Sequence, residues 1–294
     1  MDYYLPVGMV SNIIFRYSYT AKVDKNFYLC AMGKITFLGT GTSQGVPMIG
    51  CNCHVCKSSD IKDNRLRTSA LVEYCGFKIL IDCGPDFRQQ LLRENISDID
   101  AVILTHQHKD HTGGLDDIRA FNYFRKSAFP IYAEPNVQES LKMEYSYAFA
   151  EYKYPGVPEY DLQTISEEPF TITKMAEDGT LKSITITPIR VYHYMLPILG
   201  FRIGNMAYIT DGSSIPEPEF EKLKGLSLFI INTVRKEKHI SHFSLPEAID
   251  VINRVGAPQN YLTHLSHQIG TYNELIQILP ENVFPAYDGL KVNF

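Results

Sequence analysis

The sequence lacks the features that would assign it at once to several common classes. No apolar run is long enough to cross a membrane. The apolar stretches of "MDYYLPVGMVSNIIFRYSYTAKVDKNFYLCA" are short and are interrupted by Arg16, Lys22 and Asp24. Without a basic start and a clean apolar core, this segment makes a poor signal peptide. Positive charge is not in excess: 28 Lys and Arg stand against 33 Asp and Glu, for a formal net charge of -5. A global basic field that would hold nucleic acid is therefore missing, so charge lends that class of partner no support. No repeat recurs at solenoid spacing and no long linker divides the chain. Cysteine is scarce, with six residues in 294, and three of the six crowd into "CNCHVC". A secreted disulfide framework spreads its cysteines through a small chain, so the crowding points to metal in a reducing, cytoplasmic setting.

A chain of this length can bury one large α/β core or two small ones. Its 45% hydrophobic and 21% charged content is that of an ordinary globular protein. "KITFLGT" (34–40), "SALVEY" (69–74) and "FKILID" (77–82) read as strands, the last two joined by a tight turn near Gly76. "DFRQQLLREN" and "GGLDDIRAFNYF" have helical character, and "DAVILT" (100–105) reads as a strand covered on both faces. Further strands are predicted at 181–193, at "ILGFRI" and "MAYIT" with Gly204 and Asn205 turning between them, at 226–232 and at 259–264. Helices are predicted at 244–255 and over "TYNELIQIL". Residues 150–180, rich in Tyr, Pro and acids, read as a surface insertion serving as a lid or a dimer contact. With Met32 heading "MGKITFLGT", the fold is expected to begin there, as one domain over 32–294. Residues 1–31 would be an extension, or an upstream misreading of the start codon.

The densest chemistry is in "LTHQHKDHTGG". His106, His108, Asp110 and His111 fall within six residues, directly after an apolar strand. A solvated face does not place three histidines beside a single lysine at the end of a core strand. Four such ligands suit two adjacent metals better than one. More ligand types stand at other strand ends: His193 closes "ITITPIRVYH", Asp211 follows "MAYIT" and His264 follows "QNYLT". Taken singly these are bland: an ordinary half-buried histidine, a turn aspartate before "GSS", another histidine. Beside the 106–111 cluster they become candidate ligands. Cys51, Cys53 and Cys56 supply three thiolates of a second, tetrahedral site that wants a fourth ligand, and His54 is the nearest in sequence.

"THQHKDHTGG", followed in order by His193, Asp211 and His264, resembles the HxHxDH signature of the metallo-β-lactamase superfamily over about residues 34–294. The resemblance implies an α/β fold of the αββα type, two mixed β-sheets flanked by helices. It implies that His106, His108 and His193 hold one divalent ion, that Asp110, His111 and His264 hold a second, and that Asp211 bridges them. "FLGTGTSQGVPMIGCNCHVC", "LTHLSHQ" and "YDGLKV" further resemble the phosphoribosyl cyclic phosphate phosphodiesterases of the carbon–phosphorus lyase pathway. That likeness implies a structural zinc on Cys51, Cys53, Cys56 and His267, and a catalytic histidine at His242 in "HISHFSLPEAI". His239 lacks the matching context. Asp82, in "LIDCGPD", would orient ligands from behind. Arg65 and Arg67 could meet phosphate or be plain surface charges.

The function implied is hydrolysis of a small cyclic phosphodiester, such as 5-phosphoribosyl 1,2-cyclic phosphate. A water between two Mn²⁺ or Zn²⁺ ions would be deprotonated near neutral pH and attack phosphorus. Asp110 would serve the catalytic centre, and His242 would protonate the leaving oxygen. The donor set suits zinc, manganese, iron or cobalt alike. Other families share the ligand order: transfer-RNA 3′-processing endonucleases, thioester, lactone or β-lactam hydrolases, and non-catalytic pyrroloquinoline quinone biosynthesis proteins. Against the endonuclease stand the charge, the cysteine loop and the want of a basic arm for RNA. Oligomeric state stays open, with a homodimer compatible with the relatives. The start at Met32 has a direct test. Mass spectrometry of native protein should find a chain lacking residues 1–31, and one retaining Asp2 to Ala31 would refute it.

Overall fold

A computed structural model describes residues 32–294. The expectation for residues 1–31 lies outside the described residues. Two seven-stranded sheets carry the chain. Across the first, edge to edge, run Lys291–Asn293, Lys34–Gly39, Ser69–Tyr74, Phe77–Ile81, Ala101–Ile103, Phe129–Ala133 and Tyr160–Thr164. Across the second run Val283–Pro285, Gln259–Thr263, Leu228–Asn232, Met206–Ile209, Leu196–Ile203, Leu181–His193 and Phe170–Met175. Each sheet is mixed. From Phe77–Ile81 to Tyr160–Thr164 the strands are parallel, and so are those from Met206–Ile209 to Val283–Pro285.

The pattern of side chains explains the layering. Strands covered on both faces are apolar along most of their length, as in "LFIIN", where every residue is buried. Ile35, Phe37, Ile79, Phe201, Tyr208 and Ile230 fill the space between the sheets. The outer face of the first sheet packs on Phe87, Leu91, Phe121 and Leu141 from helices. That of the second packs on Ala248, Ile252 and Leu275. The result is the expected αββα sandwich. Hairpins close where the sequence placed them: Cys75 and Gly76 both take positive φ, and Gly204 takes φ 58.

Residues 150–180 differ from expectation. Instead of a lid, Tyr160–Thr164 and Phe170–Met175 complete the edges of the two sheets, and the chain crosses from one sheet to the other between them. Edge strands expose much of their surface and tolerate polar residues, so composition disguised them as loop. The rest of the stretch, about 150–159, 165–169 and 176–180, lies outside regular structure.

Every parallel strand ends on the same edge of its sheet. Leu181–His193 runs the same way as Met206–Ile209, being antiparallel to the strand between them. The two sheets meet at this edge: Leu199 N–H donates to Thr105 O at 3.1 Å, and Leu265 N–H to Thr40 O at 2.7 Å. Phe201 is fully buried between the sheets and Phe124 is 80% exposed. Urea titration should show Phe201→Ala losing about 3–5 kcal/mol, while Phe124→Ala stays within about 0.5 kcal/mol of wild type. Equal losses would contradict this layering.

Candidate metal centre

The strand Ala101–Ile103 runs out through buried Leu104 and Thr105 into buried His106. His108 is extended, and the single turn Lys109–Thr112 then brings Asp110 and His111 round beside it. Ring centroids lie 4.5 Å apart for His106 and His108, and 4.3 Å for His106 and His111. The second sheet contributes His193, 5.2 Å from His108 and 5.9 Å from His106 between ring centroids. Asp211 and His264 follow their strands in left-handed conformation, at φ 57 and 55, and Asp82 does so at φ 61. A non-glycine residue held there costs about 1–3 kcal/mol, and such strain gathers at functional sites.

Asp110, His111, Asp211 and His264 each bring a ligand atom within 4.8 Å of the others, and so do His193, Asp211 and His242. Asp211 belongs to both groups, which is the position a shared ligand takes. His106 and His108 adjoin through their ring contacts. The structure thus assembles all seven residues expected of the dinuclear site.

Hydrogen bonds decide which ring nitrogens face inward. Asp82 is fully buried and accepts from Thr105 N at 2.8 Å, from Thr105 Oγ1 at 2.9 Å and from His111 Nδ1 at 2.7 Å. With its hydroxyl proton given to Asp82, Thr105 Oγ1 accepts from His106 Nδ1 at 2.9 Å. His193 Nδ1 donates to Ser241 O at 2.7 Å. All three imidazoles therefore spend Nδ1 on the protein and turn Nε2 to the cluster. His111 Nε2 lies 3.1 Å from Asp211 Oδ2 and 3.3 Å from Asp110 Oδ2, and His106 Nε2 is buried with no hydrogen-bond partner. Buried polar atoms are rarely left so, and inward lone pairs beside carboxylates fit divalent ions.

Charge tells the same story. Burial works against a charged His111, but Asp211, Asp82 and Asp110 outweigh it and hold the imidazolium well above the usual histidine range. Burial pushes the Asp211 carboxyl up, yet His264 and His111 bring it well below its ordinary value. Burial lowers His106, and it lowers His264 to about 4 against the pull of Asp211. The raised His111 pKa favours an imidazolium beside these carboxylates in the metal-free protein.

The cysteine loop forms a separate group. Ligand atoms of Cys51, Cys53, Cys56 and His267 lie within 4.8 Å of one another. His267 Nδ1 is 3.4 Å from Cys51 Sγ and 3.3 Å from Cys53 Sγ. The Cys56 backbone N–H and His267 draw the Cys53 thiol down to about 6, toward the thiolate that zinc needs. His54 turns away and pairs with Glu274 at 3.3 Å, so the histidine that stands with the three cysteines is His267. Arg65 is no surface charge. It is 1% exposed and donates to Ser266 O at 2.9 Å and Gly270 O at 2.8 Å, tying the cysteine loop to the segment of His264 and His267. Arg67 holds Asp86 through Nη1 at 2.9 and 3.1 Å.

His242 faces the cluster of histidines and aspartates. Its Nε2 is 3.2 Å from Asp211 Oδ1, and its ring lies 4.6 Å from His193 and 5.0 Å from His264 between centroids. Thr105 is a site-forming residue that sequence reasoning missed, and His239, set aside there for want of context, packs on His242. Thr105 carries no signal beyond its place between strand and histidine.

A model of the beta-lactamase superfamily domain matches residues 78–265. Among curated proteins, an octanoyltransferase of Porphyromonas gingivalis is 44% identical over 257 residues, which cover 86% of this chain and 50% of that protein. The chain thus spans about half the length of that relative. Among solved structures, a diphosphatase of the PhnP family superposes with a TM-score of 0.79 at 37% identity, over 90% of this chain and 97% of that one. Zinc-bound PqqB from Methylobacterium extorquens superposes with a TM-score of 0.69 at 18% identity, over 88% and 99%, a likeness of fold alone.

A metal entering the cluster must expel the proton on His111 Nε2. Calorimetry in buffers of different ionisation enthalpy should show wild type releasing about one more proton per chain than His111→Gln on metal loading. Because the folded state raises the pKa of His111, that excess should be full at pH 6–7 (about the ordinary histidine range) and fade as pH rises through the raised value. Equal release by the two proteins at low pH would contradict the assignment.

Proposed function

The chain belongs to the beta-lactamase superfamily, in its PhnP-like branch; on that premise we propose that it is a hydrolase acting on a small cyclic phosphodiester, such as 5-phosphoribosyl 1,2-cyclic phosphate. The observation that carries this reading is His242 Nε2, held 3.2 Å from the carboxylate common to both ligand groups. A ring-opening phosphodiester expels an alkoxide, which needs a proton as it leaves, and an imidazole beside the reacting centre can give one. Carbon–sulfur esters expel a better leaving group and have less use for such an acid.

His106, His108 and His193 would hold one ion, Asp110, His111 and His264 the other, and Asp211 both, with a structural zinc on Cys51, Cys53, Cys56 and His267. A pair of divalent ions held there would lower the pKa of water and draw charge from a phosphoryl oxygen, and Zn²⁺ and Mn²⁺ would both suit the donors. The protein's part is to aim the Nε2 atoms, through Asp82, Thr105 and Ser241 O, and to present His242 to the leaving oxygen. The reading includes a cytoplasmic location, a small-molecule substrate rather than RNA, and a homodimer as an open assembly. Among the described residues, no helix is long and apolar enough to cross a membrane.

A second reading, hydrolysis of a diphosphate, is favoured by the name of the 37% identical relative. There the leaving group is itself a phosphate and needs the acid less. Steady-state rates separate the two. On ribosyl 1,2-cyclic phosphate, His242→Ala should lose about 10²–10⁴-fold in kcat. On bis(p-nitrophenyl) phosphate, whose phenolate leaves without help, the loss should be much smaller. No turnover of either diester by metal-replete wild type, with turnover of a diphosphate, would overturn the first reading.

A further inference from the structure

His239 belongs to neither ligand group, yet it packs on His242. Their ring centroids are 4.9 Å apart and their Nδ1 atoms 3.2 Å apart. Which nitrogen carries the proton between them follows from a third contact. The Ser241 backbone N–H points at His239 Nδ1 at 3.3 Å, and a backbone N–H can only donate. His239 Nδ1 is therefore an acceptor without a proton. A bare Nδ1 on His242 would set two lone pairs against each other at hydrogen-bond distance, whereas a protonated one makes an N–H···N bond. Ser241 Oγ lies 3.1 Å from His242 Nδ1 and can accept from it in the same sense.

The loop bearing these groups is pinned. Val234 N–H donates to Phe243 O at 3.1 Å, Phe243 N–H to Gly212 O at 2.7 Å, and Leu245 N–H to Arg235 O at 2.9 Å. The Arg235 guanidinium donates inward to Glu237 O at 3.3 Å and Lys238 O at 2.6 Å. His239 is half-buried within this closed loop.

We propose that His239 is a positioning residue that holds His242 in its Nδ1–H form, reserving His242 Nε2 for the proton that moves in the reaction. The consequence for rate rests on the phosphodiester reading, whereas the tautomer does not. As the P–O bond to the leaving oxygen breaks, its electron pair goes to that oxygen, which takes the proton from His242 Nε2. His242 is left neutral, its Nδ1 proton still on the bond to His239. The acceptor plays the part that a carboxylate plays behind the histidine of a serine hydrolase, where a wrong tautomer is costly.

The test is the long-range ¹H–¹⁵N imidazole spectrum of zinc-loaded, ¹⁵N-histidine-labelled protein, with His242 assigned by its loss in His242→Gln. Wild type and His239→Asn, whose amide oxygen can accept in place of Nδ1, should show the Nδ1–H pattern at His242. His239→Ala should show it lost or mixed. On ribosyl 1,2-cyclic phosphate, kcat of His239→Ala should fall about 10- to 100-fold with KM little changed, and His239→Asn should recover most of it. On bis(p-nitrophenyl) phosphate the fall should be smaller, which a general loosening of the loop would not produce. An Nε2–H tautomer at His242 in wild type, or an unchanged pattern in His239→Ala, overturns the proposal. The expected spectra in a protein inert to both diesters would uphold the positioning role and sink the phosphodiester reading instead.

Discussion

The centre depends on one buried carboxylate. Asp82 sits at the end of Phe77–Ile81, fully inside the protein, and accepts hydrogen bonds from Thr105 and His111. Through Thr105 Oγ1 its influence reaches His106 as well. One aspartate therefore decides which nitrogen each of two histidines presents. A buried carboxylate is expensive unless its oxygens are satisfied. Here they are satisfied by the groups whose orientation the chemistry needs, so stabilising the carboxylate and aiming the ligands are the same set of bonds.

Around that point the fold acts as a frame with two converging edges. Each sheet places ligands just beyond its strand ends, where parallel strands finish and backbone polar groups lose their ladder partners. Asp82, Asp211 and His264 all turn there through left-handed conformations, and tight packing between the sheets holds them so. The cysteine group braces the same corner from outside. His267 stands three residues after His264, and Arg65 grips the carbonyls of Ser266 and Gly270. Zinc bound by Cys51, Cys53, Cys56 and His267 would thus stiffen the strand end that presents His264, without touching substrate.

Much of this was legible in the sequence, because ligand types that follow apolar strands leave a pattern that periodicity reveals. The cluster at 106–111 and the strand ends at His193, Asp211 and His264 were visible for that reason. The αββα layering came from resemblance, since the strand pattern alone is compatible with other α/β folds. What stayed hidden has physical causes. Tyr160–Thr164 and Phe170–Met175 are edge strands, so half their surface is wet and their composition reads as loop. Arg65 is charged yet buried, satisfied by buried Asp63 and by backbone carbonyls 201 and 205 positions away. His239 acts through a backbone N–H and a neighbouring ring, a relation of three-dimensional geometry that leaves no periodic trace.

The central claim is a pair of ions that share Asp211, beside a third held by cysteine. Anomalous diffraction from metal-replete crystals, recorded above and below the zinc and manganese edges, tests it most directly. Two peaks flanking the Asp211 carboxylate, one nearer His106, His108 and His193 and the other nearer Asp110, His111 and His264, with a third among Cys51, Cys53, Cys56 and His267, are the expected result. A single peak in the histidine cluster, or two of which neither touches Asp211, would contradict it.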